Sequence, residues 1–61
     1  MSTYKWRIIT PRLTTWLNSE DDAWGQAIGH AAAGTPTRLE ILRFDFGLFT
    51  SRLIARWNQL A

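Results

Sequence analysis

Cysteine is absent from this chain, and with it go the disulfide staples of small secreted scaffolds and the thiolate ligands of a structural zinc site. Long apolar runs are missing as well. No stretch approaches the roughly 18 residues of a membrane span, and no apolar segment of signal-peptide length follows Met1. The chain therefore reads as a soluble, unprocessed protein of the reducing cytoplasm. Histidine occurs once, at His30, and lysine once, at Lys5. Length is short too: 61 residues make one small domain, which excludes most enzyme architectures and leaves stability to packing or to oligomerisation.

What the sequence does contain argues against disorder. Hydrophobic residues make up 46% and aromatics 13%, with four Trp among them, so there is enough apolar material for a core. Charge is arranged by segment. Residues 1–18 carry Lys5, Arg7 and Arg12, residues 19–34 carry Glu20, Asp21 and Asp22, and residues 35–61 mix Arg38, Arg43, Arg52 and Arg56 with Glu40 and Asp45. The net charge is +2. With so few titrating groups this small surplus is enough to place the pI near 10.0, so the pI is not by itself evidence of a nucleic-acid binder.

The clearest punctuation is Gly34-Thr35-Pro36, where Gly34 suits a left-handed helix C-cap and Pro36 cannot continue a helix. Upstream, Ser19 followed by Glu20, Asp21 and Asp22 offers an N-cap oxygen and three carboxylates to the positive end of a helix dipole. Downstream, Thr37-Arg38-Leu39-Glu40 matches a capping box. These signals predict helices over about 20–33 and 38–60, joined into an antiparallel hairpin. The expected fold is all-α: the hairpin of residues 19–61, an N-terminal segment of residues 1–18 holding a short helix over 11–17 or an arm, and completion by dimerisation. On a helical wheel Leu39, Leu42, Phe46, Phe49, Leu53, Ile54, Trp57 and Leu60 form one apolar stripe, read as core. An alternative remains for two segments. Tyr4, Trp6 and Ile8 alternate with Lys5 and Arg7, and residues 39–46 carry a fair strand pattern, so a small α+β fold with strands at 4–9 and 39–46 and helices at 11–33 and 48–60 is the competing topology.

Three surfaces stand out as candidates. Gly25, Gly29, Ala32 and Ala33 make a face poor in side chains, which suggests a close approach by another element, within the monomer or between chains. Ile41, Phe44 and Leu48 form a second apolar side to the expected 38–60 helix, bordered by Arg52, Arg56 and Trp57. Arginine makes bidentate contacts with carboxylates and phosphates and stacks on rings, so these six residues are the candidate partner-binding site. The functional expectation is a small protein-binding module without catalytic activity, an adaptor, inhibitor or accessory subunit that occludes or bridges a partner surface, itself a homodimer. The second reading is a dimeric nucleic-acid-binding regulator that uses Lys5, Arg7 and Arg12 on the N-terminal segment. A membrane-surface role has less support, because no face divides cleanly into apolar and strongly basic halves. Catalysis is not expected. Asp22, Gln26 and His30 recur at four-residue intervals, but Asp22 and His30 then lie two turns apart, too far for a dyad; no cofactor or metal is called for.

Overall fold

The computed structural model describes residues 3–59. The chain runs β1 (Thr3–Ile9), β2 (Thr14–Leu17), α1 (Glu20–Ala32), β3 (Thr37–Asp45) and β4 (Leu48–Trp57). The strands form one antiparallel sheet in the order β2-β1-β3-β4. Because β2 and β3 flank β1 on either side, α1 carries the chain across one face of the sheet. That face is covered and the other is left open.

This architecture overturns the all-α helical hairpin. The α+β alternative fits better: its strands at 4–9 and 39–46 correspond to β1 and β3, while only the Glu20–Ala32 part of its first helix is helical and its second helix is replaced by β4. The expected helix over 11–17 is likewise a loop and strand β2. Pro11 sits in a tight connection in which the Thr10 amide donates to the Leu13 carbonyl at 2.9 Å. Within the expected 38–60 helix, Leu60 lies outside the described residues.

The one helix follows its sequence signals closely. Ser19 is the N-cap and its hydroxyl accepts from the Asp22 amide at 3.4 Å, with Glu20, Asp21 and Asp22 in the first turn. At the other end Gly34 takes a φ of 82°. Its amide donates to Ala31 and that of Thr35 to His30, the paired bonds of a Schellman motif. Asn58 then ties the end of β4 to this cap, donating to the carbonyls of Ala31 at 2.9 Å and Thr35 at 3.3 Å.

Thr37 and Glu40 do not form a capping box. Thr37 begins a strand and its hydroxyl donates to the Thr35 carbonyl at 2.8 Å. Between β3 and β4, Phe46 and Gly47 make a two-residue turn with φ of 50° and 80°. Positive φ at both central positions is the type I′ pattern, whose handedness matches the twist of a hairpin. A phenylalanine there is strained, since a side chain at positive φ crowds its own carbonyl, and it is 89% exposed.

The core lies between α1 and the sheet. Ile8, Ala23, Ala27 and Leu39 have no exposed surface, and Trp6, Leu17, Trp24, Ile54 and Trp57 pack against them. Alanines at the contact let the helix sit close to the strands. Trp24 of α1 and Trp57 of β4 meet edge to face with ring centroids 6.0 Å apart, a favoured aromatic geometry. The wheel's stripe is therefore divided: Leu39, Ile54 and Trp57 face the helix, whereas Leu42, Phe49 and Leu53 stand on the open face.

Gly25 and Gly29 are not a site of close approach. Both are exposed, and a Cβ built on either would meet nothing within 4 Å. Their only effect on the monomer is the entropic penalty of glycine in a helix, about 1 kcal/mol each relative to alanine. The double variant Gly25→Ala, Gly29→Ala is accordingly expected to gain about 1.5–2 kcal/mol, read as a higher midpoint in urea unfolding followed by tryptophan fluorescence. An unchanged or lowered midpoint would show that the glycine face is occupied.

Candidate functional site

Register decides which side chains share the open face. Arg7 is paired with Trp16 on β2 and with Glu40 on β3, Lys5 with Leu42, and Ile9 with Arg38. On β4, Arg56 stands opposite Arg38, Leu53 opposite Glu40, Ser51 opposite Leu42 and Phe49 opposite Phe44. Directly opposed residues point to the same side. The open face thus presents Lys5, Arg7, Arg38 and Arg56 with Trp16, Phe44, Phe49 and Leu53, and Glu40 is its only carboxylate among the described residues. Glu20, Asp21 and Asp22 are on the helix, behind the sheet.

At the centre of this face is an ion pair whose carboxylate is buried. Glu40 is 7% exposed. It accepts from Arg7 Nε at 2.8 Å and lies 2.6 Å from Arg7 Nη2, and its second oxygen is 3.5 Å from Arg38 Nη2. The Arg7 guanidinium is also 5.3 Å from the centroid of the Trp16 ring, within cation–π range. Arg7 is thereby fixed between a carboxylate and an aromatic ring. Leu42, next along β3, is fully buried although no helix covers this side. Phe44 and Phe49 stack on each other at 5.5 Å at the far end.

Arg38 and Arg56 are the unusual pair. They face one another across neighbouring strands and both are exposed. Like charges directly opposite destabilise a sheet. Arg38 has only the long contact to Glu40, and Arg56 makes no ion pair among the described residues. With Ile9, Pro11 and Pro36 they border a shallow depression at one end of the sheet. Such a pair is suited to an anion that lies between two guanidinium groups.

The residues expected to bind a partner do not come together. Phe44 and Arg56 lie on the open face, whereas Ile41, Leu48 and Arg52 alternate to the helix side and Trp57 packs into the core. The 3.6-residue spacing that united them belongs to a helix that does not form. Of the basic trio, Lys5 and Arg7 share the open face. Arg12 is in the β1–β2 loop, by a depression that His30 and Gly34 also line. Trp16, Arg38 and Phe49 were not singled out as site residues, and only knowledge of the strand register unites them. Among the described residues no group of His, Asp and Glu is arranged to hold a metal ion, and no helix is long and apolar enough to cross a membrane. No protein-family model matches the chain, and no curated protein or solved structure is significantly similar to it.

Proposed function

We propose that the protein binds single-stranded nucleic acid on the open face of its sheet, without catalysis and without a cofactor. The observation that carries this reading is the exposed Arg38–Arg56 pair on a face that also bears Lys5 and the half-exposed rings of Trp16 and Phe49. Guanidinium groups supply phosphate contacts, and aromatic rings on a flat sheet give bases a surface to stack on, which is how single strands are held without reading their sequence. Width favours a single strand over a duplex. Four strands span about 14 Å between the outer axes, more than the roughly 12 Å of a B-DNA major groove. Four of the seven basic residues, Lys5, Arg7, Arg38 and Arg56, face the ligand, while the acidic cluster of α1 lies behind the sheet. A cytoplasmic location goes with this reading and with a cysteine-free chain.

A protein ligand is the second reading, and it has one observation in its favour: Phe49 and Leu53 are 53% and 37% exposed and form an apolar surface on the same face. Salt separates the two. Titration of labelled single-stranded DNA and RNA is expected to show binding whose logarithmic salt slope is about 0.7 per phosphate contacted. In the variant Arg38→Ser, Arg56→Ser that slope should fall by about 1.4. Trp16→Ala should weaken binding about 5- to 150-fold, as loss of one stacked base does, while Arg43→Ser on the helix side should change nothing. Absence of binding to every oligonucleotide, or equal affinity in the arginine variant, would reject the proposal and favour the protein ligand.

A further inference from the structure

Strand β4 is an outer strand, and its free edge is unguarded over most of its length. The other outer strand, β2, has four residues and follows a proline loop, whereas β4 has ten residues without Pro or Lys. Its one irregularity is a bulge at the C-terminal end, where Leu39 pairs with Ala55 and Glu40 with Leu53, leaving Ile54 without a partner. From Leu48 to Leu53 every residue is exposed. An edge of this kind, long, exposed and carrying one charge, Arg52, between Leu48 and Leu53, is a template for another strand.

We propose that the occupant is a second copy of this chain, paired antiparallel along β4 about a two-fold axis at Ser51, to give one continuous eight-stranded sheet. The sequence of β4 selects both the partner and the register. A two-fold axis perpendicular to the sheet keeps the open faces together, so each residue meets one from the same face of the other copy. An axis at Arg52 sets Arg52 against itself, a like-charge pair. An axis at Thr50 sets Leu48 against Arg52 and Phe49 against Ser51. An axis at Ser51 sets Phe49 against Leu53 of the second copy, Thr50 against Arg52, and Leu48 against Ile54, with the small Ser51 meeting itself. Of these three registers, only the one centred on Ser51 pairs apolar with apolar and opposes no two charges.

The pairing accounts for Leu48, 73% exposed in the monomer, and brings the protruding Phe46 alongside the second copy's bulged segment. The two Arg38–Arg56 pairs then stand at opposite ends of the four central strands, on one sheet face. The proposal is independent of nucleic-acid binding, because it is read by mass alone.

The test is sedimentation equilibrium on the full chain and on two single variants of the exposed axis residue, Ser51→Asp and Ser51→Lys, with far-UV circular dichroism to report folding. The wild type is expected to be a dimer. Each variant should be a monomer through self-repulsion across the axis, and an equimolar mixture of the two should recover the dimer. A monomeric wild type, dimers that persist in both variants, or a mixture that stays monomeric would overturn the proposal. A second variant covers the case in which a charge at this position prevents folding. In a chain with no cysteine, Ser51→Cys should form a covalent dimer on mild oxidation and Arg12→Cys should not. Equal crosslinking of the two would equally overturn it.

Discussion

Glu40→Ala is expected to cost about 2–3 kcal/mol, because it leaves a guanidinium without its carboxylate in a place water reaches poorly. Arg7, whose side chain is 21% exposed, holds Glu40 through two nitrogens and would retain only the Trp16 ring. The loss stays below that of a fully buried pair because Arg38, the second partner, is 55% exposed at its side chain and solvates itself. For a domain of this size the change lowers the thermal midpoint by about 10–20 °C. Removing both partners should cost far less. The variant Arg7→Leu, Glu40→Leu is expected to fall within about 1 kcal/mol of wild type, since the expense of a buried pair lies in desolvation and the apolar isosteres avoid it. Urea unfolding of the single and double variants, followed by tryptophan fluorescence, provides the comparison. Equal losses in the two would mean that packing, and not the unpaired charge, sets the penalty.

Leu39→Ala and Leu53→Ala should differ by about 2 kcal/mol or more, although helical spacing assigns both residues to one core stripe. Leu39 is fully buried against Ile8, Ala23 and Ala27, and its truncation removes transfer energy and leaves a cavity beneath α1, worth about 3 kcal/mol. Leu53 is 37% exposed on the open face of the monomer, and its truncation, made in the monomeric Ser51→Asp background, should cost about 1 kcal/mol or less. Differential scanning calorimetry of the two variants distinguishes the sheet from the helix directly. Similar losses would contradict the two-faced placement.

The helix was legible because its signals are local. Ser19, the three acids that follow it and Gly34 each act within a turn or two of themselves, and all do what their chemistry suggests. The strands were harder for identifiable reasons. In β4 both faces carry apolar residues, so Leu48, Phe49, Leu53, Ile54 and Trp57 give no two-residue alternation, and the extra residue at Ile54 shifts the phase midway. The turn before it has glycine at its second central position but phenylalanine at the first, where asparagine or aspartate would have announced a hairpin. Thr37 and Glu40 matched a capping box by type and spacing, yet Glu40 is claimed by Arg7, 33 residues away, which no local reading detects. The candidate site was obscured for the same reason. Lys5 and Arg7 were visible as a basic strand, but their grouping with Arg38, Arg56 and Trp16 depends on pairing across the whole chain.

The order of the strands also sets an order in time. The β3–β4 hairpin closes through two residues and belongs to the fast events of folding, on the order of 1–10 μs for an isolated hairpin. Strand β1, although first in the chain, pairs with β3 only after a long loop has closed, at a cost in entropy that local contacts do not bear. Docking of β1 is therefore expected late, with the Arg7–Glu40 pair formed beyond the transition state. Glu40→Ala should consequently accelerate unfolding far more than it slows folding. Until that step the hairpin has two free edges and the basic face lacks the strand that carries Lys5 and Arg7, so on this order the surface is complete only once β1 has docked.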